Sequence, residues 1–297
     1  MNFFSYTYLG DIMLKKKLFQ VLIVLILVLF SFYYTNKTID IIRQTDPIMK
    51  QIKLSNETYY EKAENAKIKD DKITPGKNGK EVDYDASYQK MKRYGAYNES
   101  LTVFKETTPT VSIEDTYDKF ITSGNEGKKQ VSIIFPVKKE ENINSLIPVL
   151  KQENIKATLF LDGIFLEKNL STVKELLDYD IEILSYNDNY EEVYFKSALN
   201  YLKNVTGNTP KYCYATYDNK EVIDLCSNLK LHTIIPTIQV TNHPYQEVKN
   251  KLQNASIISL PITKETIDEL SMTINFIQSK GYEIVTLEQL LSESLEK

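Results

Sequence analysis

From about Gly127 onward, short apolar strand-like runs alternate with segments of helical period. No other feature of the 297-residue chain narrows its architecture as much. Strand-like runs fall at 131–137, 157–161, 181–184, 212–215, 233–240, 257–262 and 283–286. Between them, apolar residues recur at i, i+3, i+4 and i+7, as in Ile143, Leu146, Ile147 and Leu150, or Ile267, Leu270, Ile274 and Ile277. Pro148 predicts a kink or early break in the first of these helices. Phe165 to Leu177 reads as one helix, and Gly281 ends the helix of Ile267. Thr286-Leu287-Glu288-Gln289 reads as a capping box. About seven βα units in about 170 residues imply parallel strands with outer helices, as a barrel or a doubly wound sheet. In both, ligands sit at the C-terminal ends of the strands.

Ahead of this region, 18–34 reads LFQVLIVLILVLFSFYY, without a charge, and Lys15, Lys16 and Lys17 precede it. A helix this long spans about 25 Å, near the lower limit for crossing a bilayer. The positive-inside bias puts the N-terminus in the cytoplasm and the rest outside. The run leaves through Ser31, Phe32, Tyr33 and Tyr34 without a small-x-small cleavage site, so an uncleaved anchor is expected. A cleaved signal peptide is the rival reading. The expected organisation is a cytoplasmic tail at 1–17, an anchor at 18–35, an extracytoplasmic stalk or accessory region at 36–126, and an α/β domain at 127–297. Within 36–126, Pro47 opens a short amphipathic helix and Gly95 ends another.

Composition removes several functions. Lysine plus arginine is 36 against 40 acidic residues, a net charge of −4, so no nucleic-acid partner is expected. Two histidines exclude a three-imidazole centre, and two cysteines exclude a disulfide-rich scaffold. Cys213 and Cys226 read either as two buried thiols or, outside the cell, as one disulfide. Together with His232 and His243 they lack zinc-ligand spacing.

Five pieces in order resemble the polysaccharide deacetylase family, the NodB-like domain of carbohydrate esterases. They are the strand 131–135, Lys156-Ala157-Thr158-Leu159-Phe160-Leu161-Asp162-Gly163, Ile181-Glu182-Ile183, Thr206-Gly207-Asn208-Thr209-Pro210-Lys211, and Lys280-Gly281-Tyr282-Glu283-Ile284-Val285-Thr286-Leu287. The resemblance implies a distorted (β/α)7 barrel over about 128–292. It also implies a divalent metal held by an aspartate and two histidines, an aspartate base and a late histidine acid. At those positions stand Val137 for the metal aspartate, Pro136 for the base, Tyr186 and Tyr190 for the metal histidines, and Pro261 for the acid. Tyr214-Ala215-Thr216-Tyr217 takes the place of the arginine motif. Proline and valine neither coordinate metal nor move protons. The expectation is therefore a pseudoenzyme with no catalytic residues, metal or cofactor.

Two substitutes are weighed at the strand ends. Asp162, Asp188, Asp218 and His243 could form a new site, the plainer reading being solvated loop carboxylates. Tyr186, Tyr190, Tyr214 and Tyr217 could ring the mouth and stack on a sugar, with Asp162 and Asp188 beside them. The plainer reading is that tyrosines, 21 in a chain without tryptophan, fill an abandoned cavity. The leading expectation is a membrane-anchored extracytoplasmic protein that binds cell-envelope glycan or an envelope protein. An active deacetylase with a rearranged site and a structural interaction module are the alternatives.

Overall fold

The computed structural model describes residues 4–138, 143–177, 179–184 and 192–295. The chain forms two compact units, one of 1–61 with 80–105, the other of 62–79 with 106–297. The strands are β1 (Lys67–Lys69), β2 (Lys72–Thr74), β3 (Gly79–Val82), β4 (Phe104–Thr107), β5 (Phe120–Ile121) and β6 (Gln130–Val137). They continue as β7 (Thr158–Leu161), β8 (Asp180–Leu184), β9 (Tyr212–Tyr214) and β10 (His232–Ile234). The last are β11 (Ile238–Gln239), β12 (Ile257–Ser259) and β13 (Glu283–Val285).

The first unit starts with one helix, Phe4–Thr45, whose stretch Phe19–Thr45 contains an 18-residue window of mean hydropathy 1.9 with no buried share. A core helix of this composition would be covered. This one is long and apolar enough to cross a membrane. The chain turns at Asp46, whose carboxylate caps the next helix, Pro47–Tyr59, at Ile48 N (2.9 Å). Its other oxygen accepts from Lys92 Nζ (2.7 Å) and Tyr88 OH (3.0 Å) on the helix Tyr84–Tyr94. These bonds, the Lys92 bond foremost, hold the Asp46 carboxyl below the usual range. Arg43 pairs with Asp85 at 3.0 Å. Ile52, Val82 and Met91 form a small core under Tyr59, Tyr84 and Tyr88. Gly95 closes the helix Tyr84–Tyr94 at φ 91°, a left-handed position that glycine takes without strain.

The second unit is built on the expected barrel. Its eleven-stranded sheet runs β1-β2-β5-β10-β9-β8-β7-β6-β12-β11, with β13 also on β6. From β10 through β11 all pairings are parallel, as the intervening helices require. The ends of that run, β10 and β11, are consecutive in the chain, so residues 235–237 draw the sheet round on itself. β6 is the axis: on one side it pairs with β12, on the other with β13 at Gln130 to Ser132 and then with β7 from Ile134 to Val137. Alternation along β6 divides the core in two. Val131, Ile133, Phe135 and Val137 pack with the helices, against Leu146, Leu150, Phe165 and Leu270. Ile134 belongs to an inner cluster with Phe160, Tyr212, Tyr214, Ile234 and Ile257.

Several boundaries differ from the sequence reading. This unit also takes in 62–79 and 106–126, residues expected in the stalk or accessory region, and draws three of its strands from them. Pro148 makes no kink: the helix begins at Leu146, so the proline sits in its first turn, where its missing N–H has no intrahelical acceptor. Phe165 to Leu177 is two helices, Gly163–Lys168 and Leu170–Glu175, parted at Asn169. The run expected at 233–240 is split into β10 and β11, with Pro236 between them lacking a donor for a ladder. The capping box forms as expected, with Thr286 and Gln289 satisfying each other's backbone N–H.

Candidate functional site at the strand ends

The C-terminal ends of β6, β7, β9 and β12 carry Pro136, Val137, Asp162, Tyr214 and Pro261. Register sets Pro136 opposite Phe160, Val137 opposite Leu161, and Ile134 opposite Ser259. Val137 is fully buried and faces the helix layer. Pro136, on the alternate face of β6, is half-buried, as is Pro261. Tyr214 is 4 % exposed. Its ring lies 5.6 Å from that of Phe160, and its hydroxyl shares a 3.1 Å hydrogen bond with Ser259 Oγ. Burial pushes the Tyr214 phenol up, and the Ser259 bond offsets part of that. Tyr214 is therefore part of the barrel filling and offers no ring face to solvent. Period-2 alternation on β9 and β12 carried this signal, because it puts Tyr212, Tyr214, Ile257 and Ser259 on one face.

Asp162 is not a solvated loop carboxylate. It is 4 % exposed, its N–H donates to Val137 O (3.0 Å), and its Oδ1 accepts from Ile164 N (2.8 Å) and Phe165 N (3.2 Å). That is a helix cap, local chemistry fixed by the sequence Asp162-Gly163 at the end of β7. Tyr217 is 54 % exposed and Asp218 is exposed beside it. His243 is exposed, with Nδ1 3.9 Å from Glu269 Oε1. Tyr186, Asp188 and Tyr190 lie outside the described residues.

The divalent metal that the resemblance implies does not fit the residues described. Val137 has no lone pair and faces hydrocarbon, Pro136 and Pro261 have no donor atom in their rings, and the Asp162 Oδ1 is engaged by two backbone N–H groups. Among the described residues, no group of three or more His, Cys, Asp or Glu side chains is placed to hold a metal ion.

The cysteines correct the plainer reading. Cys213 on β9 and Cys226 on the helix Lys220–Asn228 are joined as a disulfide, with Cα atoms 6.5 Å apart and both residues fully buried. His232 is a core histidine: it is 8 % exposed, stacked on Tyr117 at 4.4 Å, and burial lowers its imidazole below the ordinary value. Glu293 escaped the sequence reading. Its buried carboxylate accepts from Gly76 N (2.7 Å), Ile113 N (3.3 Å) and Ser112 Oγ, pinning two loops to the C-terminal segment.

The family model described as polysaccharide deacetylase matches residues 123–232. The chain is 25% identical over 280 residues to the uncharacterized protein YlxY of Bacillus subtilis (strain 168), covering 86% of this chain and 87% of that protein. Among solved structures it is similar to wild-type BA3943 of Bacillus anthracis, described as a CE4 family pseudoenzyme. That match has a TM-score of 0.63 and 24% identity, and covers 85% of this chain and 97% of the other. A mutant of BA3943 is described as having restored enzymatic activity. Bacillus subtilis PdaA, a family 4 carbohydrate esterase, matches with a TM-score of 0.51 and 16% identity, over 59% of this chain and 86% of that one.

Proposed function

We propose that this chain, which carries a polysaccharide deacetylase domain, works at the outer face of a membrane as a non-catalytic protein that binds cell-envelope glycan. One observation carries the loss of chemistry. The strand ends where the fold places ligands hold Pro136, the buried Val137 and Pro261, which the resemblance aligns with the family's base, metal aspartate and acid. Acid–base help is worth about 10²–10⁴ in rate, and a metal-bound water supplies the nucleophile at neutral pH. These side chains provide neither.

Two observations support the location. Lys15 to Lys17 precede an exposed apolar helix, which under the positive-inside bias carries the barrel outward. The buried Cys213–Cys226 disulfide suits an oxidising compartment. Glycan is favoured over a protein partner by the mouth itself. Tyr217 presents an exposed ring beside Asp218, and a ring face with a neighbouring polar group suits a sugar.

The test is co-sedimentation of the detergent-solubilised full chain with insoluble N-acetylglucosamine polymer and with purified cell wall. The reading expects salt-resistant retention that falls in Tyr217→Ala. Retention unchanged in Tyr217→Ala, or no retention on either matrix, contradicts the mouth as a glycan site.

A further inference from the structure

Asp46 is the one residue between the apolar helix Phe4–Thr45 and the helix Pro47–Tyr59. Pro47 restricts the residue before it to extended backbone, and Asp46 stands at φ −61° and ψ 133°. Its N–H donates to Arg43 O (3.3 Å) and its C=O accepts from Lys50 N (3.1 Å), so both helices close on this residue. We propose that Asp46 is a locked elbow, which joins the membrane-spanning helix rigidly to the first compact unit and carries that unit at a fixed angle to the bilayer. The bearing on the bilayer rests on the anchor reading above; the rigidity does not.

The lock comes from the helix Tyr84–Tyr94, which braces the elbow at two points. Near its start, Asp85 meets Arg43 Nη1 (3.0 Å) on the spanning-helix side, and Arg43 Nη2 also holds Asp40 (2.5 Å), which orients the guanidinium. Further along, Lys92 Nζ (2.7 Å) and Tyr88 OH (3.0 Å) donate to Asp46 Oδ2, while Asp46 Oδ1 caps the following helix at Ile48 N (2.9 Å). Asp85 and Lys92 lie about 10 Å apart along their helix, so the struts brace the elbow from two separated points. An exposed ion pair alone holds little. Here the Asp46 side chain is 11 % exposed and three donors converge on it, while Ile52 and Met91, one from each helix, pack in the unit's small core. A flexible stalk needs a solvated run outside regular structure. This junction is one residue, with its N–H, its C=O and both carboxylate oxygens bonded.

Both cysteines of the chain are held in the disulfide, so introduced cysteines take spin labels selectively. Labels at Ile39→Cys and Lys90→Cys, exposed sites on the spanning helix and on its brace, measure the elbow by electron–electron double resonance on the full chain in lipid nanodiscs. One narrow distance peak is expected. Tyr88→Phe/Lys92→Met removes two struts yet keeps the cap and the ring, and with Arg43→Gln it should broaden the peak at least twofold. A pair at Lys50→Cys and Lys90→Cys lies within the unit and should stay narrow in that triple variant. A broad peak without the strut substitutions overturns the elbow, as does a peak that the triple variant leaves unchanged. Broadening of both pairs would mean that these bonds hold the unit's own fold, and also overturns the elbow. A label at Leu27→Cys tests the bearing on the bilayer. Relaxation by lipid-soluble oxygen is expected there, and relaxation by an aqueous nickel chelate instead would overturn that bearing together with the anchor.

Discussion

At position 137 a carboxylate would enter hydrocarbon. Val137 is fully buried against the helix layer, so Val137→Asp places an acid among apolar side chains. An unpaired buried polar group costs about 1–3 kcal/mol by mutational data, and a charged one more. Val137→Asp should therefore lower the unfolding free energy by at least about 2 kcal/mol without creating metal affinity, as read by denaturant titration with and without zinc. Unchanged stability with tight zinc binding would mean that the metal position survives in latent form. His232 gives a residue-scale pH dependence. Burial lowers its folded pKa below the ordinary 6.5, so below that pH the unfolded chain takes up a proton that the folded chain resists. Stability is then fully present above about pH 6.5 and declines as pH falls. The decline between pH 7.5 and 5 should be shallower in His232→Phe. Glu247 does not interfere there. Burial raises its carboxyl, but bonds from Thr241, Asn242 and Lys251 outweigh that and bring it from 4.5 to about 2, so its contribution is lost only between those values.

At the scale of elements, the disulfide ties β9 to the helix that follows it, closing a loop between residues 13 apart in sequence. The chain-entropy relation puts such a loop near 3 kcal/mol. Cys213→Ala/Cys226→Ala should lose about 2–3 kcal/mol, and a reductant should bring the wild type to the same level. A melting curve indifferent to reductant would contradict the bond. Elements of this kind were only partly legible in the sequence. Alternation and period marked β6 to β10, β12 and β13, because a barrel strand buries one face against helices and the other in the lumen. The strands β1, β2 and β5 escaped, because they are two or three residues long and Lys67 to Lys69 is wholly exposed. At the strand ends the sequence named Pro136, Val137, Tyr214 and Pro261 but not which way Tyr214 points. The role of Asp162 was also hidden, since a cap and a ligand share the same residue type. Pairing of Cys213 with Cys226 depended on β9 and its helix meeting, which local pattern does not encode.

For the whole molecule, the exposed apolar helix and the lysine triplet predict one span with the barrel outside. Protease added to intact cells should remove the barrel and spare a tag at the N-terminus. A barrel protected until the cells are opened would reverse the orientation. The central claim is that a deacetylase fold here does no deacetylation. The direct measurement is elemental analysis of the purified full chain together with acetate release from N-acetylglucosamine polymer, with zinc and cobalt supplied. The account predicts substoichiometric metal and acetate release no faster than without protein. One tightly held metal per chain with metal-dependent turnover would contradict it.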